Sequence, residues 1–155
     1  MRLIKTREES LKENFLELHY NTIDEETQRV LERLKEPVRY IEGTSGERKS
    51  AVAVTDIFYM ETVDRKNFAY TEDACLEVRE SLKDFTDEFG EAGFVRIGKS
   101  CVVNLHKVKR LEGDLNMRVL IYLKNDEKLV MNISYRGGFY AALKKMQGAK
   151  KDETD

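Results

Sequence analysis

Tryptophan is absent from the 155 residues, proline occurs once (Pro37), and cysteine twice, as Cys75 and Cys101. Each scarcity excludes a class. With one proline and no Gly- or Ser-rich tract, the chain lacks the low-complexity character of a disordered segment. Its 41% hydrophobic and 36% charged residues are those of a globular protein. A chain of this length buries roughly two-thirds of the surface its unfolded form exposes, so it needs no covalent or metal staple. Two cysteines are too few for a secreted disulfide framework and match no metal-ligand spacing, and they are read as reduced thiols. The opening MRLIKTREESLKEN carries charge from its second residue and has no apolar centre. No later apolar run approaches the ~18 residues of a membrane span. Neither a signal peptide nor an anchor is expected, and the predicted location is cytoplasmic. Catalytic spacing is missing too. The histidines, His19 and His106, have no Cys, Ser or carboxylate placed as a dyad, and no P-loop, GxGxxG or zinc motif occurs. The expectation is no enzyme, no metal and no small-molecule cofactor.

A net charge of −2 gives no bias toward polyanions, but the charge is unevenly distributed along the chain. Residues 56–91 hold eleven acids against four bases, a net −7, and residues 92–147 hold eleven bases against four acids, a net +7. A basic second half can neutralise phosphates while the acidic half faces solvent, unless the two signs interleave in space.

The hydrophobic pattern divides the chain into a small N-terminal part and a β-rich remainder. Phe15 to Tyr20 alternate in a way that predicts a short strand. The run from Thr22 to Lys35 predicts a helix. Asp24 or Thr22 would cap it, Val30, Leu31 and Leu34 would be its buried stripe, and Pro37 would be its stop. After Pro37 short apolar runs follow at strand spacing, at Val38–Ile41, Ala51–Val54, Ile57–Met60 and Phe68–Tyr70, separated by Gly43–Gly46, Thr55-Asp56 and Asp64–Asn67. Val78, Leu82, Phe85 and Phe89 then fall at helical spacing, with Gly90 placed to close the helix in the left-handed conformation. Met117–Leu123 and Leu129–Ile133 read as a hairpin around Lys124–Glu127, and Ser134 as the cap of a final helix with Phe139, Leu143 and Met146 on one face. The organisation expected is an N-terminal strand–helix appendage over 1–36, a mainly β domain over 37–147, and a polar, frayed tail over 148–155.

The segment Phe94-Val95-Arg96-Ile97-Gly98-Lys99-Ser100-Cys101-Val102-Val103-Asn104-Leu105 resembles the central signature of the LytTR family of bacterial DNA-binding regulators. In that signature an aromatic residue, an Arg, a polar or His position, a basic residue and Ser lead into an apolar pair and Asn-Leu. Three flanking features agree in order: Ile57–Glu61 is similar to the family's aromatic strand, Leu76–Phe89 to its connecting helix, and Asn132-Ile133-Ser134-Tyr135-Arg136 to its C-terminal junction. Glu25-Glu26-Thr27-Gln28-Arg29-Val30-Leu31-Glu32 also resembles the helix that precedes the domain in short members without a receiver domain, so phosphorylation in cis is not expected.

The resemblance implies an α+β, mainly β fold, an elongated antiparallel β-sheet domain with short helices, and a transcription regulator that reads double-stranded DNA in successive major grooves with loops. It implies contacts from the loop after the aromatic strand (Arg65, Lys66, Asn67), from the central turn (Arg96, Lys99, Ser100), from Asn104, and from Arg136 at the C-terminal junction. Arginine suits these places because its planar fork matches guanine O6 and N7, whereas Lys66 and Lys99 suit phosphates. Asn104 also has the bland reading of a side chain bonded to its own turn. Lys107, Lys109 and Arg110 read equally as a phosphate stripe and as a solvated face. Gly98 departs from the family, which often has His there, so no operator sequence carries over. A homodimer built through 1–36 is expected, since paired half-sites multiply affinity. The alternative is an interaction module that docks a membrane-protein or regulatory partner on the acidic block at 56–91.

Overall fold

A computed structural model describes residues 1–12, 14, 16–35 and 37–151, with no account of the side chains of 149–151. The chain divides into two compact units, Met1–Pro37 and Val38–Asp155.

In the first unit the helix forms as α1, Glu25–Lys35. Asp24 caps it: its Oδ1 accepts from the Thr27 amide at 2.8 Å, one of the donors that a helix start leaves without an internal partner. Hydrogen bonds from Thr27 hold the Asp24 carboxyl below its usual range. The predicted stripe is only half covered. Val30 and Leu31 are half-buried, Leu34 is 52% exposed, and the residue that α1 buries is Thr27. Residues 16–20 do not form the predicted strand, and Phe15 lies outside the described residues. Among the described residues no strand pairs with them, and an unpaired strand leaves its backbone groups to water.

The second unit is built on seven antiparallel strands: β1 Tyr40–Ser45, β2 Arg48–Ala53, β3 Tyr59–Val63, β4 Lys66–Tyr70, β5 Cys75–Val78, β6 Phe94–Gly98 and β7 Cys101–Asn104. Their order across the sheet is β2-β1-β5-β4-β3-β7-β6. Alternation gives the sheet two working faces. Met60, Ala69, Leu76 and Val102 share one core with Leu82, Phe85 and Phe89 of α2 (Leu82–Phe89), where the Phe85 and Phe94 rings meet edge-on at 4.8 Å. Tyr59, Val103 and Ile97 belong to a second core. It is completed by a three-stranded antiparallel sheet, β8 Val108–Gly113, β9 Val119–Leu123 and β10 Lys128–Met131 in the order β10-β9-β8, and by Phe139 of α3 (Arg136–Lys151). The mainly antiparallel fold with short helices is the one expected.

Several local readings change. The stretch Leu76–Phe89 is a strand followed by a shorter helix. Leu76 and Val78 satisfy a period of two as well as a helical one, and pairing with Ala69 and Asn67 of β4 decides it. Ser81 then starts α2, its Oγ accepting from the Asp84 amide at 3.1 Å. Gly90 is right-handed (φ −57°, ψ −39°), and the left-handed glycine is Gly93, with φ 101°. Asn132, not Ser134, caps the turn before α3, accepting from the Ser134 amide at 3.0 Å and its hydroxyl at 2.8 Å. The helix continues through Lys151 where a frayed tail was expected, and 152–155 lie outside the described residues.

Candidate nucleic-acid interface

Three loops stand side by side along one end of the large sheet, and the pairing register puts them there. The first is the tip of the β3–β4 hairpin. Asp64 and Arg65 both take left-handed φ, 49° and 66°, between Val63 and Lys66, which pair across the turn. That is the backbone of a two-residue turn whose twist matches its strands. The second is the β6–β7 turn around Lys99 and Ser100. Because β7 lies against β3, with Glu61 opposite Cys101, this turn is next to the hairpin tip, and the Thr62 amide donates to the Ser100 carbonyl at 2.9 Å. The third is the segment from Asn132 to Arg136. β6 is an outer strand of the sheet, and the Asn132 amide donates to the Ile97 carbonyl at 2.9 Å, which docks the start of α3 beside the end of β6.

The predicted residues differ in how free they are. Arg65, Lys99, Ser100 and Arg136 are exposed. Lys66 is exposed too, with its ammonium 3.5 Å from Glu77 Oε2. Asn67 is half-buried, its Oδ1 accepting from Thr62 Oγ1 at 2.6 Å. Arg96 is half-buried and folds back on its own turn. Its Nε donates to the Gly98 carbonyl at 3.2 Å and its Nη2 to the Lys99 carbonyl. Two of its five N–H groups thus brace the turn, where the β6–β7 register slips between Arg96 and Gly98, and the remainder can face a ligand. Arg136 places its guanidinium 5.6 Å from the centre of the Tyr140 ring, one turn along α3. Among the described residues no carboxylate pairs with Arg65, Arg96, Lys99 or Arg136.

Asn104 is not among the exposed candidates. It is 2% exposed, its Nδ2 donating to the Ile57 carbonyl at 2.8 Å and its Oδ1 accepting from the His106 amide at 3.0 Å. Both ends of the amide are engaged by backbone groups, one of them in its own turn. The stripe at 107–110 is largely engaged as well. Lys109 pairs with Asp126 at 3.3 Å, and Arg110 with Glu112 at 2.7 Å while lying 3.7 Å over the Tyr122 ring. Lys107 sits 5.0 Å over Phe58.

Two features escaped the sequence reading. β8 was not anticipated, and neither was the β8–β9 loop, where Asp114 Oδ1 accepts from the amides of Asn116 and Arg118, both at 2.9 Å. The signal available was Asp-x-Asn-x-Arg between apolar runs, a spacing at which an Asp side chain closes its own turn. Behind the hairpin tip, Tyr59 and Tyr70 stack at 4.3 Å, and Tyr70 donates to Glu61 at 3.2 Å. Burial, with Glu61 adding to it, pushes the Cys101 thiol up to about 12, so it is not a nucleophile at neutral pH. Among the described residues no group of His, Cys, Asp or Glu could hold a metal, and no helix is long and apolar enough to cross a membrane.

Comparisons with known proteins bear on the family and the fold. A family model described as the LytTr DNA-binding domain matches residues 47–144. Among solved structures, the LytTr DNA-binding domain of a methyl-accepting/DNA response regulator from Bacillus cereus is similar in fold. It is 22% identical, with a TM-score of 0.64, covering 67% of this chain and 95% of that one. No curated protein matches the chain.

Proposed function

The chain belongs to the LytTR DNA-binding domain family, and on that footing we propose that it is a transcription regulator that reads duplex DNA through the three loops ranged along one end of the large sheet. One observation carries the reading: Arg65, Lys99 and Arg136 belong to neighbouring loops, are exposed, and have no carboxylate partner among the described residues. Uncompensated cations on neighbouring loops match the spaced phosphates and groove edges of a duplex, and they steer its approach. Arg65 and Arg136 are the base readers, each able to offer a fork to guanine. Lys99 and Lys66 hold phosphates, and Arg96 fixes the turn that presents Lys99 while keeping N–H groups for the same strand.

The test uses a duplex selected from a random pool by the full chain, set against a scrambled duplex of equal length. Arg136→Ala should weaken the selected duplex by roughly 1–3 kcal/mol and the scrambled one much less. Lys99→Ala should weaken both alike and flatten the log–log salt slope by about 0.9. If the selection enriches no sequence, the proposal fails.

We further infer that two chains bind together, with the half-covered stripe of α1 at their contact. A half-buried Val30 and Leu31 beside an exposed Leu34 is a surface that a second copy can cover. Leu31→Asp in the full chain should halve the sedimentation mass, and an unchanged mass would refute this.

A further inference from the structure

Beyond the three loops, the same end of the molecule carries a fourth. β9 pairs with β10 so that Val119 lies opposite Met131, the residue before Asn132. The loop from Asp114 to Arg118, which precedes β9, therefore stands beside the start of α3. The two meet across an open cleft of about 330 Å³, lined by Arg118 and Met117 from the loop and by Arg136 and Tyr140 from the helix. None of the residues implied by the family resemblance lies in this loop.

The loop is built to hold one arginine in a fixed place. Asp114 accepts from the Asn116 and Arg118 amides with Oδ1, and from Arg118 Nε at 2.9 Å and Nη2 at 2.8 Å with Oδ2. The Asp114 and Arg118 backbones also bond, amide to carbonyl at 3.0 Å, and Met117 is left-handed at φ 61°. Burial opposes ionisation of Asp114, but these donors outweigh it and hold its carboxyl below the usual range. The carboxylate is 18% exposed and its oxygens already face four donors, whereas the Arg118 side chain is 52% exposed. One edge of the guanidinium is thus tied inward, and Nη1 with the second Nη2 proton is turned outward. A guanidinium fixed in this way binds an anion with little further loss of rotamer freedom.

We propose that Arg118 is a phosphate ligand of the duplex interface, taking a backbone phosphate next to the groove that Arg136 enters. The proposal rests on the reading of the three loops given above, and it extends their row by one position. Asp114 acts as a positioning residue, since it touches the guanidinium and not the DNA. The exposed Met117, at 67%, and Leu115, at the loop tip, flank the arginine with apolar groups suited to the sugar face of the strand.

Anisotropy titrations with the selected and scrambled duplexes test this across a salt series. Arg118→Ala should weaken both duplexes by the same factor, roughly fivefold to tenfold, and flatten the salt slope by about 0.9. Asp114→Asn keeps an oxygen for the Asn116 and Arg118 amides but turns an NH2 toward the guanidinium, so Arg118 loses its fixed place while keeping its charge. It should therefore weaken both duplexes by a smaller factor than Arg118→Ala does. If Arg118 and Asp114 merely shape the loop, the two variants lose affinity equally, and that result would overturn the proposal. An unchanged salt slope in Arg118→Ala would overturn it as well. The outcome is separable from the larger reading: a wild-type chain that selects no duplex sinks both, whereas a selective wild type with an indifferent Arg118→Ala sinks only this one.

Discussion

Replacing Asn104 by alanine distinguishes a residue that holds the fold from one that reads a base. Asn104 is 2% exposed and joins two backbone groups: the Ile57 carbonyl, which receives its Nδ2 proton at 2.8 Å, and the His106 amide, which donates to its Oδ1 at 3.0 Å. Alanine removes both partners at once. Ile57 is fully buried, so its carbonyl is left without water, and a buried polar group stripped of its partner costs roughly 1–3 kcal/mol. His106 is exposed, its amide can turn to solvent, and that loss is about 1 kcal/mol. The sum, about 2–4 kcal/mol, corresponds to a fall in Tm of roughly 10 °C for a folded unit of this size. Circular dichroism melts would read it, with duplex binding measured at a temperature where both proteins remain folded. The folded fraction of Asn104→Ala should bind the selected duplex as wild type does. A melting point lowered by less than about 3 °C would show that these groups are not dependent on Asn104. An unshifted melt with lost binding would make Asn104 a reader and refute the placement argued above.

Thiol chemistry should separate the two cysteines. Cys75 is exposed, whereas Cys101 has its thiol pushed up to about 12, so native alkylation near neutral pH should add one label and denatured alkylation two, and two native labels would contradict the burial of Cys101. At Gly93, with φ 101°, an added Cβ would stand 2.9 Å from His106 Cδ2, so Gly93→Ala should cost about 1–3 kcal/mol in denaturant titrations, and an unshifted midpoint would refute the strain. At Gly98 a Cβ would meet nothing within 4 Å, and Gly98→His should therefore melt within about 2 °C of wild type while tightening duplex binding. A large drop there would show that the turn itself requires glycine. Asp114 is ionised more readily in the folded chain than in the unfolded one, so the order it gives its loop is present above the ordinary carboxylate range and is lost as pH falls through its lowered value. Protection of the Asn116 and Arg118 amides, taken relative to the intrinsic exchange rate, should fall as the pH drops below the ordinary carboxylate range, and Asp114→Asn should abolish that dependence.

The architecture was readable because its strands announce themselves by alternation and its one strong signature, Phe94–Leu105, is a hairpin whose apolar pair Val102-Val103 divides between the two cores. What the sequence concealed has physical reasons. Leu76 and Val78 fit both a helical and a two-residue period, and only the neighbouring strand β4 chooses between them. Gly90 and Gly93 are both placed to end α2, and the choice falls on the one whose missing side chain His106 needs. β8 has apolar residues at Val108 and Leu111 alone, too few to signal a strand, and it is held by pairing with β9. Within the candidate site, the exposure of Arg65, Lys99 and Arg136 follows from turn positions that sequence can indicate. The burial of Asn104 follows from a contact with Ile57 from a distant part of the chain, which it cannot.

The opposed charge blocks acquire a different meaning once the pairs are located. Of the acids between 92 and 147, Glu112 pairs with Arg110, Asp114 with Arg118 and Asp126 with Lys109, all within the small sheet and its loops. In the acidic block, Lys66 and Lys83 find Glu77 and Asp87. Exposed pairs of this kind are screened by solvent and add little to stability, so their distribution has little to do with holding the fold. Its consequence is electrostatic. With those acids engaged inside the small sheet and its loops, Arg96, Lys99 and Arg136 at the β6–β7 turn and the start of α3 have no carboxylate partner among the described residues, and Arg65 joins them from the otherwise acidic first half because the β3–β4 hairpin reaches the same end. A net charge of −2 is therefore compatible with a strongly cationic edge. The repulsion that a polyanion would feel from the acidic block falls off within a Debye length of about 8 Å at physiological salt, while the loops make contact directly.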